Sequence, residues 1–231
     1  MSCTIPFRIG VTVPSAPTAA DWREAARSAE GQGFDVLTVA DHLVADCYPP
    51  LPALVSAAEV TKTLRVGTLV INNDLRNPVV LAKELATVDD LTGGRLEIGL
   101  GAGHGAPEYR AAGIRFDHPG VRVARLAESV EVIDRLLRGE TVTFNGVYYQ
   151  VHEHAVWPRP VQSPRPPILI GGGGLRVHEL AARRADIIGF AGTGKTLADD
   201  MRAYRERWGL SYFSVFAHSM GEMAKVIPLL R

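Results

Sequence analysis

The 231-residue sequence lacks most features of secreted, membrane-spanning and nucleic-acid-binding chains. Its two cysteines, Cys3 and Cys47, form neither a disulfide framework nor a metal-ligand spacing, which suits a reducing compartment. The 25 basic and 25 acidic residues cancel, so nothing in the charge favours nucleic acid or an anionic membrane as a partner. No run approaches the roughly 18 apolar residues of a membrane span, and the N-terminus has no signal-peptide core. We therefore predict a cytoplasmic globular protein.

What the sequence does contain is a regular alternation of strand-like and helix-like segments. With 46% hydrophobic residues, it can bury the core of a single domain, 1–231. The alternation favours one parallel sheet built from βα units. We expect this sheet to form a closed TIM-type (β/α) barrel. The spacing alone does not exclude the alternative, an open doubly wound sheet. A complete barrel has eight units, and we count seven strands, so we predict a shortened, incomplete barrel. The strands are expected at 7–13, 36–39, 64–71, 95–100, 167–170, 186–190 and 212–216.

Local signals predict several boundaries within this alternation. Thr18, with Asp21 three residues on, has the spacing of a helix cap, and Asn77–Pro78 supplies a cap and a first-turn proline. The alternation breaks at 141–166, where we expect a hairpin and a proline-rich insertion. The Asn145–Gly146 dipeptide in that hairpin favours a two-residue type I′ turn.

Four consecutive glycines, Gly171–Gly174, separate a short apolar strand from a helix that begins near Leu175. Glycines allow a ligand to approach the backbone closely, and the helix start presents unbonded N–H groups and a positive dipole end. This combination predicts an anion site, most plausibly for a phosphate group. The alternative is a tight turn that only packs the helix on the strand.

Polar and glycine-rich segments follow four of the predicted strands, at the edge where barrel enzymes place their chemistry. Asp41 and His42 follow the second strand, 72–74 the third, 101–105 the fourth, and the glycine run the fifth. A histidine beside an aspartate at such an edge suits a proton donor with a fixed tautomer. The alternative is a pair that only bonds a loop.

Four segments resemble the luciferase-like flavin- and deazaflavin-dependent oxidoreductases, a TIM-barrel family. They are ADHL at 40–43, the long block at 65–103, PGVRVARLAESVEVI at 119–133 and PILIGGGG at 167–174. The amino-acid sequence of these segments is most similar to that of the actinobacterial branch, which uses coenzyme F420, an 8-hydroxy-5-deazaflavin. The resemblance implies hydride transfer between F420 and an unidentified small organic substrate, and a homodimer.

The resemblance also implies roles for particular residues. Asp41 and His42 would contact the deazaflavin ring and be the catalytic pair, with Asp41 orienting His42 for proton transfer. A bulge with a non-proline cis peptide would bring Leu69, Val70 and Asn72 against the ring. The ribityl chain and phosphate would be held by Ala102, Gly103, Gly173, Gly174, Arg176 and Val177.

Two departures from the family pattern keep alternatives open. Some sugar-oxidising relatives carry a glutamate where this chain has His104, and one βα unit with its insertion is missing near 191–196. The alternatives are an FMN-dependent monooxygenase of the same family, or a flavin- or deazaflavin-binding protein without turnover.

Two further motifs would indicate nucleotide or zinc binding, and we give them little weight. Residues 189–196 fit the G-x-x-x-x-G-K-[ST] pattern of a P-loop, but no later apolar strand ends in an aspartate that would hold Mg²⁺. His152 and His154 could bind zinc, but no third ligand lies nearby in sequence. We therefore predict no metal.

Overall fold

The computed structural model describes residues 6–44, 46–189, 201–202, 205–206 and 211–230. Its strands are β1 (Arg8–Thr12), β2 (Val36–Val39), β3 (Arg65–Thr68), β4 (Ile71–Asn72), β5 (Leu96–Gly101), β6 (Val142–Asn145), β7 (Gln150–His154), β8 (Ile168–Gly171), β9 (Ile187–Gly189) and β10 (Tyr212–Phe216). Its helices are α1 (Ala19–Gly31), α2 (Pro50–Ala58), α3 (Pro78–Leu91), α4 (Ala106–Ala111), α5 (Pro119–Leu137), α6 (Leu175–Arg184) and α7 (Met220–Leu230).

The main sheet is parallel, with the strand order β10-β1-β2-β3-β5-β8-β9. The last strand returns beside the first, with Arg8 opposite Tyr212, as it would in a barrel. The short β4 pairs with β5 and continues the line of β3, so the sheet has the seven predicted strand positions. Within the described residues β9 and β10 do not pair, so the barrel is open there. The predicted incomplete TIM-type architecture is confirmed.

The sheet is covered by helices, and its strands are buried along most of their length. All six residues of β5 are buried, as expected for a parallel strand enclosed on both faces. On α5 the predicted apolar face is buried, with Leu126, Val130, Ile133 and Leu137 in the core. No helix in the described part of the chain is long and apolar enough to cross a membrane.

Several local predictions hold. The Thr18 hydroxyl accepts from the Asp21 N–H at 3.1 Å, and the Asn77 side chain accepts from the Val79 N–H at 2.9 Å. All but the first residue of the P-loop-like pattern at 189–196, and the gap expected at 191–196, lie outside the described residues.

The hairpin turn differs from the prediction. Asn145 pairs with Gln150, which leaves a four-residue loop at 146–149 instead of a two-residue turn on Asn145–Gly146. The Glu128 carboxylate accepts from the N–H groups of Val147, Tyr148 and Tyr149 at 2.8, 2.9 and 3.1 Å. This contact with α5 fixes the wider loop and overrides the local preference.

A second carboxylate, that of Glu30 in the last turn of α1, holds the connection between α2 and β3. One of its oxygens accepts from the N–H groups of Lys62, Thr63 and Leu64 at 2.8, 2.7 and 2.9 Å. Burial opposes ionisation, but these donors outweigh it and lower the pKa of Glu30 to about 2.

We expect Glu30→Gln to lower the free energy of unfolding at pH 7 by about 1 kcal/mol, since the group is partly exposed and water screens part of the gain. A carboxyl with a depressed folded-state pKa stabilises fully above its unfolded pKa, about 4.5, and loses that contribution as the pH falls toward 2. The difference between wild type and variant should therefore shrink between pH 7 and pH 3. Urea denaturation at both pH values measures it.

The control is Glu24→Gln on the same helix. Its exposed carboxylate pairs with Arg27 at 3.1 Å and with no other cation among the described residues, so the change should stay within about 0.5 kcal/mol. An equal loss for Glu30→Gln at both pH values would contradict the proposed role of its charge.

Candidate active site

The residues predicted for the site lie at the carboxyl ends of four adjacent strand positions. These are the segments after β2, at β3–β4, after β5 and after β8. Because parallel strands end at the same edge, the four segments form one rim.

Asp41 is buried at this rim, with 7% of its surface exposed. Its carboxylate accepts from the N–H of Asn72 at 3.0 Å and pairs with both terminal nitrogens of Arg76. It therefore ties the end of β2 to the end of β4. This corrects the expectation that Asp41 orients His42, because its oxygens are directed to the neighbouring strand.

The carboxylate that contacts His42 belongs to Glu108 on α4. Its oxygens lie 3.0 and 3.2 Å from His42 Nδ1, and one of them accepts from the N–H of Leu43 at 2.8 Å. Burial works against ionisation, but the Leu43 N–H and the His42 ring lower the pKa of Glu108. Since Glu108 occupies Nδ1, the opposite nitrogen, Nε2, is the one available for proton exchange.

Glu108 and the helix that carries it were missed in the sequence. The available signal was Gly105, which has a φ of 89° and caps α4, followed by Pro107 near the start of the helix. Such a start predicts a short helix with acidic residues in its first turn, where Glu108 lies.

His104, in the loop after β5, is a second imidazole at the rim. Its ring stands edge-on to the His42 ring, with 5.0 Å between the centroids. The position where some relatives carry a glutamate is thus placed directly beside His42.

The peptide bond between Leu69 and Val70 is cis, as the resemblance implies. Both residues are partly exposed at the rim. The Val70 side chain lies against Gly101 and Gly171, and a Cβ on Gly171 would approach it to 3.0 Å. Glycines on two neighbouring strands therefore make room for Val70 at the base of the site.

Asn72 is fixed by a network behind the rim. Its side-chain oxygen accepts from the Asp74 N–H at 3.1 Å and from the Tyr109 hydroxyl at 2.8 Å. Burial raises the pKa of Tyr109 to about 12 and also raises the pKa of Asp74. Gly103, with a φ of 78°, packs so closely on this network that a Cβ there would clash with Tyr109 and Asn72. Only glycine fits this position.

The glycine run takes the predicted form of a strand, a turn and a helix. Helix α6 begins at Leu175, and its capping residue, Gly174, supplies no side-chain bond. The space beside Gly173 and Gly174 is open, and Arg176 is exposed without a carboxylate partner among the described residues. A helix start with free N–H groups and an unpaired arginine fits an anionic group such as a phosphate.

Val177 differs from the other residues predicted here. Its side chain is buried and packs against Gly172, and its N–H donates to the Gly174 carbonyl at 3.0 Å. The predicted residues thus form two adjacent groups, one around His42 and Val70 and the other around Arg176. Val70, which contacts Gly171, connects them.

Two cavities lie at the opposite end of the strands. The side chains of Arg8 and Arg65, which line one of them, both pair with the buried Glu97. In the part of the chain that is described, no group of three histidine, cysteine, aspartate or glutamate side chains could hold a metal ion.

The fold is a barrel whose rim carries a histidine held by a glutamate and a glycine-rich helix start. The sequence profile of the luciferase-like monooxygenases matches residues 1–213, and the chain belongs to this family.

Among its relatives is the F420-dependent glucose-6-phosphate dehydrogenase of Kineococcus radiotolerans. It is 38% identical over 165 residues, which are 68% of this chain and 48% of the relative. The chain spans about half the length of the curated relatives that it matches.

Solved structures support the fold. The coenzyme F420-dependent tetrahydromethanopterin reductase of Methanopyrus kandleri superimposes with a TM-score of 0.74 at 21% identity, over 92% of this chain and 65% of the reductase. The long-chain alkane monooxygenase LadA gives a TM-score of 0.71 at 19% identity, over 92% of this chain and 64% of that structure.

Proposed function

We propose that this protein is an oxidoreductase that transfers hydride between coenzyme F420 and a small organic substrate. The observation that carries the proposal is His42, held through Nδ1 by Glu108 at the same rim that carries the cis Leu69–Val70 peptide. The F420-dependent dehydrogenases among the relatives favour the deazaflavin over FMN.

Each residue at the rim has a part in this proposal. F420, when bound, supplies the carbon that accepts or donates hydride. His42 exchanges a proton with a substrate oxygen through Nε2, and Glu108 holds its ring. Leu69, Val70 and Asn72 support the ring system of the cofactor. The N–H groups after Gly173 and Gly174, together with Arg176, hold its phosphate, and Ala102 and Gly103 lie beside its side chain.

FMN is the alternative cofactor because the family includes monooxygenases. Both cofactors have a tricyclic ring, a ribityl chain and a phosphate, so the same rim would accept either. The glycine run and Arg176 suit the group that the two cofactors share and do not discriminate between them.

The test is a binding titration of the purified protein with F420 and, in parallel, with FMN, followed by tryptophan fluorescence. We expect tighter binding of F420, by about tenfold or more. Tighter binding of FMN would favour the alternative function, an FMN-dependent monooxygenase of the same family. No binding to either would reject the proposed function.

Substitution of His42 separates an enzyme from a binding protein without turnover. We expect His42→Ala to lower turnover about 10²- to 10⁴-fold, because it removes the proton-exchanging group. Cofactor affinity should stay within about threefold, since the phosphate site is on other strands. Steady-state kinetics and the fluorescence titration measure the two effects.

Glu108→Gln is a milder variant that alters the carboxylate holding the His42 ring. It keeps the size of the side chain and removes its charge, so turnover should fall less, by about tenfold. His152→Ala, on the exposed hairpin, should change neither quantity. If cofactor binding collapsed in His42→Ala, the assigned role of His42 would be wrong.

We also propose a cytoplasmic homodimer. The two-cysteine composition supports the location. Phe216 and Leu229, which are 65% and 60% exposed, lie on β10 and α7 beside the open side of the barrel, and exposed apolar surface of this kind favours self-association.

We expect sedimentation equilibrium at micromolar concentration to give a dimer, and Leu229→Lys to weaken it. Val147→Lys, at the exposed tip of the hairpin, is the control. A wild-type monomer under these conditions would reject the dimer.

A further inference from the structure

The first turn of α5 lies between the two groups of residues at the rim. On one side, Arg122 reaches the loop that follows β5. On the other, the terminal Nη1 of Arg176 stands 2.9 Å from where a Cβ on Gly120 would lie, so the glycine leaves space for that arginine. One helical turn thus contacts both segments that the proposed function assigns to the cofactor.

Arg122 is a buried cation whose bonds go to neutral groups. Only 7% of its surface is exposed. Its guanidinium donates to the carbonyls of Asp117 at 3.0 Å, of Ala102 at 3.3 Å and of Gly103, and it lies 4.2 Å from the ring centre of Phe116. Within the described residues, no carboxylate lies at ion-pair distance from it. Burial of an arginine is costly, and three carbonyls in fixed positions compensate for it.

These bonds determine where the loop directs its N–H groups. In a trans peptide the C=O and the following N–H point in opposite directions. With the carbonyls of Ala102 and Gly103 turned to Arg122, the N–H groups of Gly103 and His104 point away from it. In the part of the chain that is described, neither N–H has an acceptor.

The loop cannot hold this conformation by strand pairing, because β5 ends at Gly101. Its other side is closed by Tyr109 and Asn72, which pack against Gly103. Arg122 therefore provides the bonds on the α5 side, and the two N–H groups are left for a ligand.

We propose that Arg122 is a positioning residue that aims the N–H groups of Gly103 and His104 at oxygen atoms of the bound cofactor. The same bonds set the backbone from which the His104 ring reaches His42. This inference rests on the proposed function, in which the rim binds F420 or FMN.

The test is Arg122→Lys, which keeps the charge. A lysine has a single ammonium group on a flexible stem and cannot bond three separate carbonyls in the way the planar guanidinium does. We expect the affinity for the cofactor that the wild type binds to fall about tenfold, as for the loss of one or two net hydrogen bonds. Fluorescence titration measures this change.

Hydrogen exchange of the cofactor-free protein gives a second readout, independent of the cofactor. Peptides covering 102–114 should exchange faster in Arg122→Lys, because the loop carries α4 and its bonds, including Ala112 N–H to Glu108 O at 3.0 Å. Arg135→Lys is the matched control. It lies on the same helix, pairs with Glu140 at 2.8 Å, and should change neither readout.

The outcomes separate the inference from the proposed function. Binding within about twofold of the wild type, with unchanged exchange at 102–114, would overturn the positioning role. If the wild type binds neither cofactor, the proposed function fails, and unchanged exchange would then also overturn the inference. If Arg122→Lys does not fold, Arg122→Gln, which can still donate to one carbonyl, takes its place with the same expected results.

Discussion

The arrangement of the rim depends on a buried carboxylate. Asp41 follows β2 and binds the main chain of Asn72, the last residue of β4, and the guanidinium of Arg76, which follows it. Burial of a carboxylate costs several kcal/mol unless its oxygens are paired, so this contact persists only while both strand ends keep their places. Asn72 then accepts from Tyr109, and Tyr109 closes the space beside Gly103. A chain of polar contacts thus extends from the second strand to Tyr109, which packs against the loop after β5.

Adjacent residues at the end of β2 consequently have different tasks. Asp41 joins two strands, whereas His42 turns toward α4 and is held by Glu108. The separation matters because the Asp41 oxygens are engaged by Arg76 and a backbone N–H, so a different carboxylate holds the His42 ring. Glu108 has a lowered pKa and an N–H donor from Leu43, so its carboxylate is stabilised in the charged form beside the His42 ring.

The elements specified by local pattern were predictable from the sequence, and those specified by distant contacts were not. The strand positions, the caps at Thr18 and Asn77 and the glycine-to-helix turn follow from periodicity and short-range chemistry. Glu108 lies 66 positions from His42, and no local pattern connects them. The hairpin turn failed for the same reason, since Glu128 on another element sets its width. The family resemblance located the cis peptide at Leu69–Val70, which composition and spacing do not reveal.

The rim and the open side of the barrel lie in different parts of the sheet. Its residues come from β2, β3–β4, β5 and β8, which are neighbours in the sheet, whereas the opening lies between β9 and β10. Neighbouring strands fix one another by their own ladders and by the contacts of Asp41, Val70 and Arg122, and none of these contacts crosses the opening. The geometry of the groups around His42 and Arg176 is therefore set within one contiguous part of the sheet.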